Sequence, residues 1–141
     1  MVQIDTSTEF GQRVERRLRE ERIIWLTTVR RDGQPVPVPV WFLWDGGSEL
    51  LMYSRPNTPK LRNIARNPRV ALNFNSDEYG NDVIYFEAEA RHDPNVEPAN
   101  TNAAFIEKYR GGIASIDMTP DSFAATYSAP VRLRLTRVRG F

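Results

Sequence analysis

The sequence predicts a mainly β protein with peripheral helices, in which six antiparallel strands form a barrel. Three observations lead to this prediction. Segments in which apolar and polar residues alternate recur along the chain, as expected of half-buried strands. Turns such as Arg31-Asp32-Gly33 and Asp45-Gly46-Gly47 separate neighbouring strands in the manner of hairpins. Helical patterns are few, and no repeat or linker interrupts residues 1–141, which are most simply one domain.

The first third of the chain is predicted to form one helix and two strands. Thr6 and Glu9 have the spacing of a capping box and precede an apolar stripe of helical period, which predicts a helix over residues 7–21. The β-rich run that follows predicts a strand over residues 23–29. Alternating valines and aromatic residues predict a second strand over residues 36–44.

The second strand has an unusual composition. Pro35, Pro37 and Pro39 alternate with its valines, and proline cannot donate to a strand ladder. This half of the strand should therefore lie at a sheet edge or against a ligand. Trp41 is out of phase with the valine side of the strand, which leaves it two roles, a contact with a ligand or packing in an interface.

The rest of the chain is predicted to contain four more strands and three helices. The strands are expected over residues 50–54, 70–74, 82–91 and 128–138. One helix should begin at Pro59 and end near Asn67-Pro68, a second should span residues 96–110, and a third should begin at Pro120. The pair Gly111-Gly112 is expected to end the second of these helices.

Composition excludes several classes of function. The chain has 19 basic and 18 acidic residues, and this balance gives no general signature of nucleic-acid binding. It has no cysteine, so disulfides, thiolate catalysis and cysteine metal sites are excluded. A single histidine excludes a two-histidine metal site within one chain. The absence of an apolar run of about 20 residues leads us to expect a soluble, cytoplasmic protein.

The segment from Tyr53 to Ile64 predicts a strand end, a polar loop and a helix start. Thr58 suits the N-cap and Pro59 the first helical position, so the helix N-terminus presents free N–H groups. Arg55, Lys60 and Arg62 add positive charge around it. Such a place can bind a phosphate or a carboxylate, although an ordinary capped surface helix with solvated basic residues explains the pattern equally well.

Three blocks of sequence carry a resemblance to a known family. They are residues 25–35, residues 38–42 and, most specifically, residues 53–72, which contain Tyr53-Ser54, Lys60-Leu61-Arg62-Asn63-Ile64 and Asn67-Pro68-Arg69-Val70-Ala71-Leu72. They resemble the pyridoxamine 5′-phosphate oxidase-like superfamily of split β-barrel flavoproteins. The resemblance covers nearly the whole chain and looks closest to an actinobacterial branch of coenzyme F420-dependent enzymes. It implies a six-stranded antiparallel split β-barrel of the FMN-binding type.

The resemblance also implies which residues bind a phosphate-bearing tricyclic cofactor. They are Val38, Val40 and Trp41 beneath the ring, Tyr53 and Ser54 at its border, Thr58, Pro59 and Lys60 at the phosphate, and Arg55 and Arg62 at the phosphate or an acidic tail. FMN enzymes of this fold often carry an Arg-Lys pair at the phosphate helix, where this chain has Pro59-Lys60. This departure weakens the case for tight FMN binding and leaves room for the deazaflavin F420.

An F420-dependent oxidoreductase, transferring a hydride to or from a small organic substrate, is therefore the function that the resemblance implies. An FMN-dependent reductase or oxidase is the nearest alternative, and a non-catalytic flavin, deazaflavin or tetrapyrrole-binding protein is another. The resemblance further implies a homodimer whose cofactor sites lie at the subunit interface, because a small split barrel leaves much apolar strand surface uncovered.

No residue pattern predicts a catalytic acid or base. His92 follows a strand beside a turn and is expected to be a surface group. Glu87 and Glu89 share a strand face, which is more simply a solvated or dimer-facing surface than a catalytic pair. Tyr127 and Phe141 are further candidates for lining the cofactor cleft.

Overall fold

The computed structural model describes residues 2–141 and contains one antiparallel sheet of seven strands with helices at its periphery. The strands are β1 (Ile24–Val29), β2 (Pro35–Val40), β3 (Leu43–Trp44), β4 (Glu49–Ser54), β5 (Arg69–Asn73), β6 (Ile84–His92) and β7 (Ala129–Gly140). The helices are α1 (Glu9–Glu20), α2 (Pro59–Arg66), α3 (Ala103–Ser115) and α4 (Pro120–Thr126), with a 3₁₀ turn at Ala99–Thr101. The mainly β split-barrel architecture is confirmed, with seven strands in place of six.

The seventh strand arises because the predicted strand over residues 36–44 divides in two. The strand order is β2-β1-β5-β6-β7-β4-β3, so the two halves lie at opposite edges of the sheet. Only Trp41 and Phe42 join them. The link from Val40 to Leu43 spans three residue steps and reaches at most roughly 10 Å, so the sheet must curl until these ends of its two edge strands lie close together, and it forms a half-barrel. The edge position of β2 confirms the interpretation of its three prolines.

Side chains from α3 hold the seam between β2 and β3. The N–H of Phe42 donates to the hydroxyl of Tyr109 at 2.8 Å. That hydroxyl lies 2.9 Å from the carbonyl oxygen of Phe42 and 2.8 Å from that of Arg22, and its one proton can serve one of them at a time. The ammonium of Lys108 donates to the Phe42 carbonyl at 2.9 Å. The seam peptide is therefore satisfied by side chains where strand pairing is interrupted.

Two clusters of buried side chains stabilise the fold. The larger fills the inside of the half-barrel, where the ring of Phe74 contacts those of both Phe42 and Phe86. The smaller lies beneath α3 and α4 and includes Phe105 and Tyr109. Both helices belong to the long excursion between β6 and β7, so this segment covers the seam with its own apolar core.

Three predicted helix boundaries are wrong. The helix predicted from residue 96 begins at Ala103, after the 3₁₀ turn, because the Asn102 side chain caps it by accepting from Phe105 N–H at 3.1 Å. Thr8, not Thr6, caps α1: its hydroxyl accepts from Gly11 N–H at 3.0 Å and donates to the Asp5 carbonyl at 2.9 Å. The pair Gly111-Gly112 does not end α3, which continues to Ser115. None of the helices among residues 2–141 is both long and apolar enough to cross a membrane.

The outer face of the sheet near its centre carries alternating charges. Arg134 and Arg137 on β7 lie 3.1 Å and 3.7 Å from Glu89 and Glu87 on β6. A bulge between Glu87 and Ala88 shifts the register, which explains why the arginines of β7 do not alternate strictly. The glutamates therefore form exposed ion pairs, which contribute little to stability.

We expect the Tyr109→Phe variant to be destabilised by about 1–3 kcal/mol, because it keeps the buried ring and leaves the Phe42 N–H without its acceptor. Urea unfolding measures this difference. Tyr79→Phe is the matched control, since the Tyr79 side chain is 81% exposed and its loss of a hydroxyl should change stability by less than about 0.5 kcal/mol. Equal stabilities for the two variants would show that the seam does not depend on Tyr109.

Candidate functional site

A cavity of about 400 Å³ opens where β2, β4, α2 and the α3–α4 excursion meet. Its volume lies within the range of small-molecule sites. The lining residues are Pro39, Val40, Trp41, Met52, Tyr53, Ser54, Arg55, Lys60, Ile116, Phe123 and Tyr127. The cavity thus has three walls, provided by the sheet, by the start of α2 and by the helical excursion between β6 and β7.

Two cationic side chains face this cavity, and no carboxylate lines it among residues 2–141. Lys60 is half-buried, and loss of hydration lowers the pKa of its ammonium below the ordinary value. Its ammonium forms no ion pair or hydrogen bond with the described part of the chain. The guanidinium of Arg55 lies 5.0 Å from the ring centre of Tyr127 and has no carboxylate partner there either. The cavity is therefore suited to an anion.

The start of α2 adds hydrogen-bond donors to this positive region. Thr58 occupies the N-cap with extended backbone, and its side chain makes no capping bond. Its hydroxyl instead lies 3.3 Å from the hydroxyl of Ser54. The first helical hydrogen bond runs from Arg62 N–H to the Thr58 carbonyl, which leaves the N–H groups of Lys60 and Leu61 outside the helical ladder. A helix of this kind presents the positive end of its dipole to an anion.

Trp41 is held in an aromatic stack at the edge of the cavity. Its ring is parallel to that of Tyr109 at 4.7 Å and to that of Phe123 at 5.5 Å. Gly112 lies against the same ring, since a Cβ built there would lie 3.2 Å from two of its carbon atoms. Of the two roles that the sequence left open for Trp41, packing is present, although its partners belong to the same chain. The ring also lines the cavity, where a ligand could contact it. Its orientation is fixed before any ligand arrives.

Of the residues that the resemblance implies, six line the cavity. They are Val40, Trp41, Tyr53, Ser54, Arg55 and Lys60. Thr58 lies beside them through its contact with Ser54. Three lie elsewhere: Val38 packs against the interior core, while Pro59 and Arg62 face a surface groove on the other side of α2. Val38 shares the inner face of β2 with Val40 but lies two residues further from the seam, where that face meets the core.

Sequence reasoning missed several residues of the lining. Pro39 lies on the exposed face of β2, and its alternation with the valines was the available signal. Met52 is a buried residue of β4 that nothing in the sequence distinguishes from ordinary core. Ile116 and Phe123 come from the excursion, whose position over the cavity depends on tertiary packing. Of the two weaker candidates, Tyr127 lines the cavity.

The remaining candidates lie away from it. Phe141 is 67% exposed and does not line the cavity, because its carbonyl pairs with Val83 N–H beside β6. His92 is an exposed residue at the end of β6, as expected from the sequence. No cluster of metal-ligating side chains is found in the part of the chain that the structure describes.

The fold and the cavity together define a split-barrel protein with a cationic cavity of the size of a small-molecule site. A family model for pyridoxamine 5′-phosphate oxidase matches residues 10–139. The chain belongs to this family, which includes flavin-binding oxidoreductases.

Solved structures show the same fold at low sequence identity. An F420 reductase is 24% identical, with 89% of this chain and 94% of that one covered and a TM-score of 0.65. An FAD-binding protein from Mesorhizobium loti is 17% identical, with 87% of each chain covered and a TM-score of 0.65. The haem storage protein HutZ from Vibrio cholerae is 15% identical, with 99% and 95% covered and a TM-score of 0.62. No curated protein matches the chain.

Alanine substitutions in α3 test the contact between Gly112 and Trp41. Gly112→Ala should be less stable than Gly111→Ala by about 1–2 kcal/mol, because the new methyl group presses on a ring already stacked on both Tyr109 and Phe123. Gly111 has nothing within 4 Å of a built Cβ, so Gly111→Ala should raise stability by up to about 1 kcal/mol. Denaturant unfolding measures the stability of both variants. Equal stabilities would show that the Trp41 ring moves away from the new methyl group without a cost in free energy.

Proposed function

We propose that this chain is an oxidoreductase that binds F420 and transfers a hydride to or from a small organic substrate. One observation carries the proposal: Lys60 and Arg55 are cations without carboxylate partners in the described structure, and they line one cavity at the start of α2. Burying an ammonium without a partner costs free energy that an anionic ligand would recover.

The cavity fits a cofactor with a phosphate and a planar ring. Lys60 and the first N–H groups of α2 would hold the phosphate, with the Thr58 hydroxyl as a further donor. The ring would lie along Val40 and Trp41, bordered by Tyr53, whose hydroxyl is engaged with the Glu97 carbonyl at 2.9 Å. A reduced F420 held by these residues would provide the hydride for an electrophilic carbon of the substrate, and the balancing proton would come from water.

The surface on the outer side of α2 favours F420 over FMN. Arg62 lies there beside Arg30, Arg31 and Arg66, and Asp32 is the acidic residue of this groove. Asp32 is already paired with Arg30 at 2.6 Å, so the groove keeps an excess of positive charge. F420 carries an acidic tail that such a groove could bind, whereas FMN has none.

The test is a titration of the purified apo-protein with F420 and, side by side, with FMN. Micromolar or tighter binding of F420 with weak binding of FMN would support the proposal. Preference for FMN would make the chain an FMN-dependent reductase or oxidase. Binding of neither would favour a non-catalytic protein, as the fold of a haem storage protein illustrates.

Variants locate the two halves of the site. Lys60→Ala should lower cofactor affinity by about 10- to 100-fold with little change in melting temperature, because a charge-assisted hydrogen bond to phosphate is lost. Arg62→Ala should weaken the binding of F420 and leave the binding of FMN unchanged, because only F420 has a tail that would reach the outer groove. If Lys60→Ala left the cofactor affinity unchanged, the assignment of the cofactor phosphate to this site would be rejected.

We also propose a homodimer formed through the outer face of the sheet. Strand register places Pro39, Trp25, Asn73 and Tyr85 in one row across β2, β1, β5 and β6. Tyr85 is 42% exposed. Because Pro39 also lines the cavity, a second copy seated on this row would lie beside the cofactor.

Sedimentation equilibrium tests this assembly. The wild-type chain should have about twice the mass of 16.2 kDa, and Tyr85→Glu should be monomeric because a charge is placed in an apolar contact. Tyr79→Glu, on an exposed loop, should keep the wild-type mass. A monomeric wild type, or a dimer in which Tyr85→Glu has no effect, would rule out this face.

A further inference from the structure

One wall of the cavity differs in chemistry from the others. Lys60 and Arg55 belong to the segment from β4 to α2, whereas the helical excursion contributes Ile116, Phe123 and Tyr127. The contact between Arg55 and the Tyr127 ring marks where the cationic part of the cavity meets this wall. Beyond it, Ile116 and Phe123 offer apolar surface only, so a charged group placed there would lose hydration without gaining a partner.

Ile116 is the part of this wall that the fold itself does not use. Its side chain is 43% exposed and belongs to neither of the two buried clusters. Among the large apolar side chains exposed in residues 2–141, it is the one that lines the cavity. An exposed apolar side chain in a cavity is stabilised when a ligand covers it, because the covered surface leaves water.

The backbone presents Ile116 in a fixed position. Its N–H donates to the Ile113 carbonyl at 3.3 Å, and the Met118 N–H donates to the same carbonyl at 3.1 Å. Asp117 adopts a left-handed conformation, with φ of 58°, and donates to the Ala114 carbonyl at 3.0 Å. This turn terminates α3 with its own hydrogen bonds, so a ligand would meet a preorganised contact.

Aromatic stacking next to Ile116 indicates the shape of that ligand. The ring of Phe123 is nearly parallel to that of Tyr127 at 4.5 Å and to that of Trp41 at 5.5 Å. The two faces of the Phe123 ring are covered by these neighbours, so a planar group entering the cavity would meet the edge of the ring, and edge-to-face contact is one of the arrangements that aromatic pairs favour.

We propose that Ile116 and Phe123 form the subsite for the uncharged, planar, apolar part of the organic substrate. This subsite rests on the proposed function for the identity of its neighbour, a cofactor whose phosphate lies at Lys60. Ile116 then determines specificity by excluding charged compounds from the position next to the cofactor ring.

The first experiment follows the isoleucine methyl resonances of the full chain by NMR. Two probes are compared: 4-phenyl-3-buten-2-one, an uncharged aryl enone, and trans-cinnamate, its anionic counterpart. With F420 present, the enone should shift the Ile116 methyl resonance saturably, and cinnamate should bind at least about fivefold more weakly. The methyl of Ile23, which is 38% exposed and does not line the cavity, should not move.

The second experiment uses matched variants. Ile116→Ala should weaken enone binding, measured by calorimetry, by about five- to tenfold and leave the Kd for F420 unchanged. Ile23→Ala removes the same atoms from another exposed isoleucine and should change neither value.

Three results would overturn the subsite. The first is equal shifts of the Ile23 and Ile116 methyl resonances. The second is a loss of F420 affinity in Ile116→Ala, which would make Ile116 a cofactor contact. The third is a change of oligomeric state in Ile116→Ala. The proposed function fails separately: enone binding at Ile116 without F420 binding would keep the subsite and reject the cofactor. F420 binding without a shift at Ile116 would keep the proposed cofactor and reject the subsite.

Discussion

The hydroxyl group of Tyr109 closes the half-barrel. The strands on either side of Phe42 belong to opposite edges of the sheet, so the chain must turn at this residue while its peptide groups leave the strand ladder. Tyr109 and Lys108 supply the missing partners from a single helical segment. Burial lowers the pKa of Lys108 to about 8 and raises that of Tyr109, which reflects how far both side chains have been withdrawn from water.

The same seam positions residues of the proposed site. Trp41 precedes the anchored peptide, and its ring stacks on Tyr109, so one side chain fixes both the backbone turn and the ring beside it. The cavity then forms where the seam faces the start of α2, with Lys60 on the far segment. The site therefore depends on contacts between segments that are far apart in sequence.

Local sequence patterns predicted most of the sheet and the start of α2, and they led to the hypothesis of an anion site there. Alternating residues and turn glycines located the strands to within a few residues, and Thr58-Pro59 located the start of α2. The division of the second strand was missed because its alternation continues through Trp41, and its cause is a side chain 67 positions further along the chain. Ile116 gave no local signal, since an isoleucine after a helix is ordinary until the fold places it in a cavity. That residues 1–141 form one domain stays a prediction.

The cavity joins two stretches of chain that can change independently during evolution. The cationic wall is encoded within residues 52–60, and the apolar wall comes from an excursion that leaves the sheet after β6 and returns at β7. Replacing or lengthening that excursion alters what the cavity accepts without touching the anchor at α2. Descendants of one ancestral scaffold can thereby acquire new partners for an old cofactor, or new cargo altogether. An F420 reductase, an FAD-binding protein and a haem storage protein that share this architecture are the kind of diversity such a division permits.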